Sequence, residues 1–292
     1  MNLRDFGTTG LRVSTLGLGA GQIGDEKLSE AQAARVLHEA LALGITFIDT
    51  AKGYGLSEER IGRHLSHRRN DFVLSTKVGY GVPDAPDWTS DCVVRGVHMA
   101  LQTMNTDYID VVHLHSCPKA TLQQGDVVAA LEQVKQEGKV RAIAYSGEEE
   151  DLHYALSTNR FDSFMMSINL FDQRFIDHGL WNAKTKGAGI IAKRPIANAP
   201  WRFTDRPTGQ YCEEYWLRWK HMALESDIPW QELALRFVAY TYGVDTCIVG
   251  TTNPMHLRQN ASIIEKGKLP DDLVDHIRET FRKHDHGWVG QL

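Results

Sequence analysis

Short apolar runs alternate with longer amphipathic stretches along almost the whole chain. The runs are rich in Val, Ile, Phe and Thr and are nearly apolar throughout, which is typical of strands that are covered on both faces. We count eight such runs, at 13–19, 46–50, 72–78, 109–115, 140–146, 163–169, 189–195 and 246–251.

The stretches between these runs carry apolar residues at helical spacing. In residues 29–43 they recur three and four positions apart, and Gly44 follows as a stop signal. Further helices are predicted near 57–66, 91–104, 123–137, 149–158, 177–187, 229–242, 254–265 and 271–283. Eight strands that alternate with helices predict a parallel (β/α)8 TIM barrel rather than an open sheet.

Two segments depart from this alternation. Residues 1–12 precede the first barrel strand and predict a small hairpin, with Gly7 and Gly10 in its turn, that plugs the bottom of the barrel. Residues 195–219, after the seventh strand, form a long aromatic loop that we expect to shape a pocket. No linker divides the sequence, so residues 1–292 are expected to form one domain.

Composition limits the possible partners and compartments. The chain has 292 residues, 42% of them hydrophobic, and a net charge of −5, which argues against nucleic acid or an anionic membrane as the main partner. No apolar run approaches the ~20 residues that span a bilayer, and the N-terminus does not resemble a secretory signal. Four scattered cysteines without a C-x-x-C pair fit reduced thiols in the cytoplasm. The oligomeric state stays open.

Four ionisable side chains fall at or just after neighbouring strand ends. Asp49, Lys77 and His115 close the second, third and fourth strands, and Tyr54 follows Asp49 by five residues. In a parallel barrel the C-terminal strand ends form the active-site rim. Carbonyl reduction needs a proton for the oxygen, which a phenol can give when an ammonium stabilises the phenolate and a carboxylate holds that ammonium. An imidazole can hydrogen-bond the substrate oxygen, and the same groups run backwards would oxidise an alcohol.

Five segments, in order along the chain, resemble the aldo-keto reductase family. They are LRDFGTTGLRVSTLGLGAGQIG, FIDTAKGYGLSEERIGRHL, LSTKV, TDYIDVVHLHSCP and GKVRAIAYSG. The resemblance implies a barrel without a Rossmann domain that binds NADPH or NADH in extended form at its rim. It implies Tyr54 as general acid/base, assisted by Lys77 and Asp49, and His115 as the residue that orients the carbonyl. An aldehyde, ketone or sugar, or the corresponding alcohol, is then the expected substrate.

The same resemblance suggests the cofactor contacts. Segment 250–260 is similar to the family's loop and helix after the eighth strand, where Pro254 at a helix start suits a phosphate. NADPH is the expected cofactor, and NADH stays an alternative because Gly250 replaces a lysine that many NADPH-specific members carry. The expected contacts are Ser146, Asn169, Lys193, Arg194, Gly250, Thr251, Thr252, His256, Arg258, Gln259 and Asn260.

Two departures from the family pattern keep a second function open. Met165 stands where a Gln commonly holds the nicotinamide carboxamide, and Lys193 stands where an aromatic ring often stacks on the nicotinamide. A non-catalytic, cofactor-binding regulatory subunit is therefore an alternative.

A third interpretation is a metal-dependent barrel hydrolase. His113 and His115 point the same way from one strand and resemble an H-x-H metal pair. A catalytic zinc site needs a third protein ligand. We find no further His or acidic residue at a strand end that is placed to act as this ligand, so no metal is expected. The simpler interpretation of His113 is a barrel-interior residue with a hydrogen-bond partner.

Overall fold

A computed structural model describes residues 1–291, and Leu292 lies outside the described residues. It contains an N-terminal strand pair and eight further strands. The pair is β1 (Leu3–Asp5) and β2 (Arg12–Ser14), and the eight are β3 (Leu16–Gly19), β4 (Phe47–Asp49), β5 (Val73–Val78), β6 (Ile109–His115), β7 (Val140–Ser146), β8 (Ser163–Ser167), β9 (Gly189–Lys193) and β10 (Thr246–Val249). Strands β3 to β10 are parallel and close into a barrel in chain order, with β10 pairing back onto β3. The predicted (β/α)8 barrel is confirmed.

Helices follow or link the barrel strands, as the apolar spacing predicts. They are α1 (Glu30–Ala42), α2 (Ser57–Leu65), α3 (Ser90–Thr103), α4 (Lys119–Gln124), α5 (Asp126–Gln136), α6 (Glu149–Ser157), α7 (Arg174–His178), α8 (Leu180–Thr185), α9 (Glu213–Met222), α10 (Trp230–Ala239), α11 (Pro254–Glu265) and α12 (Asp271–His284). None of these helices is long and apolar enough to cross a membrane.

The pleat of the strands separates two apolar clusters. Residues such as Ile48, Leu74 and Val112 face the helices and join the larger cluster. Their neighbours, including Phe47, Val73 and Val111, point into the barrel and form a second cluster. The barrel interior is therefore filled with side chains at its lower end.

The predicted hairpin closes the bottom of the barrel. Strands β1 and β2 pair antiparallel, and Phe6, Leu11 and Val13 belong to the same cluster as the inward-facing barrel residues. One boundary differs from the prediction, because the run 13–19 is divided between β2 and β3. The side chain of Ser14 donates to the carbonyl of Leu16 at 2.6 Å and accepts from the backbone N–H of Thr46 at 2.8 Å, so the chain turns there before it enters the barrel.

The long loop after the seventh strand contains a helix that sequence reasoning missed. Its first turn begins at Glu213, whose carboxylate accepts the backbone N–H of Gly209 at 2.6 Å. Within the same helix, Arg218 donates to Glu214 at 3.1 Å. The many aromatic residues of this segment hid its helical period.

Candidate active site

The pleat that fills the barrel with apolar side chains also brings polar side chains to its upper end. In β5, Val73, Ser75 and Lys77 alternate on the inner face, and β6 repeats the pattern with Val111, His113 and His115. The lowest residue of each strand is apolar and those above it are polar. The rim, defined as the C-terminal ends of the barrel strands, therefore collects groups that can carry out acid–base chemistry.

Lys77 and Asp49 form a buried ion pair at the rim. The Lys77 Nζ donates to Asp49 Oδ2 at 2.6 Å and to the carbonyl oxygen of Thr50 at 2.7 Å. The same Nζ lies over the ring of Tyr54, 4.9 Å from its centre. Burial by itself lowers the pKa of Lys77, but the charges of Asp49 and Tyr54 more than offset this and raise the pKa above its ordinary value. Lys77 is therefore a permanent cation.

The turn that carries Tyr54 is held in place by close backbone packing. Leu56 donates its N–H to the carbonyl of Gly24 at 3.0 Å. A Cβ at Gly24 would come within 1.6 Å of the Tyr54 carbonyl oxygen, so only glycine fits there. This contact fixes the half-buried Tyr54 ring at the edge of the ion pair.

A hydrogen-bonded chain, which we call the support chain, holds Asp49 from below. The Ser75 hydroxyl donates to Asp49 Oδ1 at 2.8 Å, and its oxygen lies 3.0 Å from His113 Nε2. Because the serine proton goes to the carboxylate, the histidine carries its proton on Nε2 and donates it. Burial, followed by the charge of Lys77, lowers the pKa of His113 well below its ordinary value, so this histidine is neutral. His113 is a barrel-interior residue with a hydrogen-bond partner, as the simpler interpretation predicted.

His115 faces Tyr54 across the rim. The two rings meet edge to face, with centres 6.1 Å apart and an interplanar angle of 86°. Burial, with added repulsion from Lys77 and Lys193, lowers the pKa of His115 to about 3. The imidazole is neutral at any ordinary pH and can act as a hydrogen-bond donor from one nitrogen only. Its Nδ1 lies 2.6 Å from the hydroxyl oxygen of Tyr80.

A cavity of about 930 Å³ opens beside this cluster and extends across the rim. Asp49 and Tyr54 are among its lining residues. The ends of β9 and β10, with the segments that follow them, line most of the remainder, and the end of β3 with the loop after it contributes Gly19, Gly21 and Gln22. Cations line it at Lys193, Arg194 and Arg202, whereas Asp49 is the one acidic lining residue within residues 1–291. The cavity is thus extended and biased toward anionic ligands.

The structure brings most of the predicted cofactor contacts to this cavity. Those that line it are Lys193, Arg194, Gly250, Thr251, Thr252, His256, Gln259 and Asn260. The other predicted contacts lie away from its lining. Ser146 is buried at the end of β7, Asn169 is buried and accepts the N–H of Phe171, and Arg258 is exposed in an ion pair with Glu39.

The two departures from the family pattern have different surroundings. Met165 is buried in the apolar cluster inside the barrel, and in the strand register it pairs with Ser146 at the end of β7. Lys193 lines the cavity and pairs with the buried Glu148 at 3.1 Å. Burial lowers the pKa of Lys193, while the charge of Glu148 opposes that shift.

The aromatic loop is divided between the cavity and the protein interior. Trp201, Phe203 and Tyr211 line the cavity, as expected for this loop. Trp219 instead packs edge to face on Trp230, with ring centres 5.5 Å apart. The loop backbone takes left-handed values at Ala197, Asn198 and Ala199, which bends it around the cavity.

Sequence reasoning missed Gln22, Tyr80 and Glu148. Gln22 and Glu148 follow β3 and β7, so the rule that strand ends face the site could have identified both. Tyr80 gave a weaker signal, because it lies beyond Val78 in a turn whose course the sequence pattern does not define. Across residues 1–291, no group of three or more His, Cys, Asp or Glu side chains is placed to hold a metal ion.

Comparison with known proteins agrees with this architecture. The model of the aldo/keto reductase family matches residues 15–281. The uncharacterized oxidoreductase YqkF of Bacillus subtilis is 28% identical over 97% of this chain and 99% of its own length. D-threo-aldose 1-dehydrogenase of Pseudomonas sp is 29% identical over 86% of this chain and 89% of its own.

A solved structure gives the same result. The holo form of an aldo-keto reductase from Bacillus halodurans superimposes with a TM-score of 0.83 at 28% identity, covering 96% of each chain. A family model that spans most of the chain and a matching closed barrel lead to one assignment: this chain belongs to the aldo/keto reductase family.

Proposed function

We propose that this chain is an NAD(P)H-dependent oxidoreductase that interconverts a carbonyl and an alcohol, with Tyr54 as its general acid/base. The observation that carries the proposal is the buried Lys77–Asp49 ion pair, whose ammonium lies over the ring of Tyr54, a residue that lines the large cavity. An ammonium at this place favours negative charge on the tyrosine oxygen, and so helps Tyr54 to release a proton or to take it back.

The other rim residues have supporting roles in this proposal. Asp49 fixes the Lys77 ammonium, and the support chain from His113 through Ser75 fixes Asp49. His115, being neutral, donates a hydrogen bond to the substrate oxygen without adding a charge. The substrate carbonyl oxygen would then lie between the Tyr54 hydroxyl and the imidazole.

The cavity fits a dinucleotide cofactor. Its volume of about 930 Å³ lies near the upper end of the ~300–1,000 Å³ usual for small-molecule sites. Lys193, Arg194 and Arg202 provide positive charge for an anionic ligand, and Thr251, His256 and Asn260 line the part next to α11. When bound, the nicotinamide supplies or accepts the hydride. We propose NADPH as the cofactor, with NADH as the alternative.

The relatives support an aldehyde or sugar as substrate. L-galactose dehydrogenase of Arabidopsis thaliana is 32% identical over 68% of this chain and 66% of its own length. The Pseudomonas relative described above is likewise named for an aldose. Hydroxyl-rich substrates also suit a cavity whose walls carry side-chain amides and hydroxyls as well as aromatic rings.

We also propose that residues 1–292 work as one domain in the cytoplasm. All four cysteines are buried, free thiols. Free thiols are usual in reducing compartments, which supports the cytoplasmic location.

The test is a turnover assay with Tyr54→Phe. The purified protein is given NADPH or NADH and a panel of aldehydes, ketones and sugars, and cofactor consumption is followed by absorbance. The wild type is expected to turn over at least one substrate. Tyr54→Phe is expected to lose about 10²- to 10⁴-fold in kcat, because the proton donor is gone. Tyr242→Phe serves as the matched control, since Tyr242 is a surface tyrosine with 71% of its area exposed.

Two outcomes would contradict the proposal. Full activity in Tyr54→Phe would remove Tyr54 from the chemistry. A wild type that binds the cofactor tightly but turns over nothing in the panel would favour the non-catalytic regulatory subunit instead.

A further inference from the structure

We propose that Tyr80 is a positioning residue that holds His115 in the tautomer with its proton on Nε2. The inference rests on the proposed function, because it concerns the donor that meets the substrate oxygen. Tyr80 contacts His115 directly, and neither residue is among those that line the large cavity. In this proposal Tyr80 acts through His115.

The geometry fixes the tyrosine against the imidazole in two ways. The Tyr80 hydroxyl oxygen lies 2.6 Å from His115 Nδ1, a short hydrogen bond. The two rings are also stacked, with centres 5.4 Å apart and planes inclined by 24°. The imidazole is thus constrained both in its plane and across its face.

The loop around Tyr80 is built to keep it there. Trp88 packs edge to face on Tyr80, with ring centres 5.9 Å apart. Gly79 allows this approach, because its φ is +128° and a Cβ would come within 2.2 Å of the Trp88 ring. The backbone N–H of Trp88 also donates to the Gly79 carbonyl at 2.7 Å. This packing leaves the tyrosine little freedom to turn away from His115.

The protonation states limit this hydrogen bond to two possible directions. The pKa of His115 is lowered to about 3, and burial, with repulsion from Tyr54, raises the pKa of Tyr80, so both groups are neutral at working pH. A neutral imidazole carries one proton, on either Nδ1 or Nε2. Either Tyr80 donates to a bare Nδ1, or Nδ1–H donates to the Tyr80 oxygen.

The first arrangement leaves fewer polar atoms without a partner. Within residues 1–291, the Tyr80 hydroxyl has no other hydrogen-bond partner and His115 Nε2 has none at all. If Nδ1 carried the proton, the tyrosine proton would have no acceptor within residues 1–291 of the protein, and Nε2 would present a lone pair to the substrate oxygen. If Tyr80 donates, Nε2–H is left free to donate to that oxygen.

The test measures the tautomer directly and separately from activity. In protein labelled with ¹⁵N-histidine, NMR distinguishes protonated from bare ring nitrogens, and His113, held by Ser75, is an internal reference. The wild type is expected to show His115 with Nε2–H and a bare Nδ1. Tyr80→Phe keeps the stacked ring but lacks the hydroxyl, and it is expected to show a mixture of the two tautomers.

The kinetic arm uses a matched control. Loss of one oriented hydrogen bond is worth about 1.4 kcal/mol, so kcat in Tyr80→Phe is expected to fall about tenfold, with cofactor affinity unchanged. Tyr145→Phe also removes a buried tyrosine hydroxyl, one that donates to the Cys117 carbonyl at 2.9 Å, but it leaves His115 untouched and should keep wild-type kcat.

Two results would overturn the inference. A proton on Nδ1 in the wild type would do so without any variant. The inference would also be overturned if the wild type and Tyr80→Phe had the same His115 tautomer and the same kcat. Because the NMR result needs no substrate, failure of the proposed catalytic function would be recognised separately, as an absence of turnover in a protein whose His115 still shows Nε2–H.

Discussion

Replacing Lys77 with methionine tests the charge on which the proposed chemistry depends. The Nζ lies 4.9 Å from the centre of the Tyr54 ring. At that distance, a unit positive charge stabilises a phenolate by about 3 kcal/mol if the effective dielectric constant is about 20. Losing that stabilisation predicts a fall of roughly 10²-fold in kcat. Cofactor affinity should be unchanged, because Lys77 does not line the large cavity.

Stability has to be separated from chemistry in this experiment. Removing one partner of a buried ion pair leaves the other charge unpaired and costs about 3–5 kcal/mol. The double variant Asp49→Asn/Lys77→Met avoids the bare carboxylate and should fold more stably than the single variant while remaining equally inactive. Lys184→Met is the matched control, since it breaks a part-buried pair with Asp245, at 2.9 Å, away from the proposed catalytic cluster.

The assay follows initial rates of cofactor oxidation together with a fluorescence titration of cofactor binding. The expected pattern is lost turnover and retained binding in both Lys77 variants, with wild-type kcat in Lys184→Met. Wild-type kcat in folded Lys77→Met would refute the reasoning, because the ammonium would then contribute nothing to the chemistry.

Two further predictions concern buried polar groups. Ser75→Ala breaks the support chain and leaves two buried partners unpaired, so urea unfolding should show a loss of about 1–3 kcal/mol; an unchanged unfolding free energy would contradict that account. Burial, together with the charge of Glu148, raises the pKa of Asp172 to about 7. The folded protein therefore holds a proton that the unfolded chain releases, and stability falls as pH rises from about 4 to 7. Asp172→Asn should remove that loss, so that between pH 4 and pH 8 its free energy of unfolding rises relative to the wild type by up to about 4 kcal/mol. Asp177→Asn breaks an ion pair with Arg278 and should show no such rise.

The fold could be predicted from the sequence because each barrel strand is covered on both faces. A strand buried in this way needs an unbroken apolar run, and the eight runs appear in the order of the eight barrel strands. The places where prediction failed are those where another interaction decides the backbone. Ser14 turns the chain through side-chain hydrogen bonds, and helix α9 starts where Glu213 accepts a backbone N–H from the preceding turn.

From the sequence pattern alone, the candidate site could be predicted only where strand ends define it. Asp49, Lys77 and His115 close neighbouring strands, so their convergence follows from the parallel barrel alone. Tyr80 reaches His115 because of the turn at Gly79 and the packing of Trp88, and neither has a periodic signature. The ion pair of Lys193 with Glu148 joins the ends of two strands that are not neighbours in the sheet, which no local pattern specifies.

One cation organises the protonation states of the whole cluster. The positive charge of Lys77 favours negative charge on the Tyr54 oxygen, and the same charge helps to lower the pKa of both His113 and His115. Burial is the main reason that the two histidines are neutral, and the charge of Lys77 adds to it. A neutral histidine is useful as a donor only if its proton is on the correct nitrogen. Each histidine accordingly has a hydroxyl partner on one ring nitrogen, Ser75 for His113 and Tyr80 for His115. In the proposed reaction the charged pair would favour proton transfer at Tyr54, and the Tyr80 hydroxyl would decide which nitrogen of His115 meets the substrate oxygen.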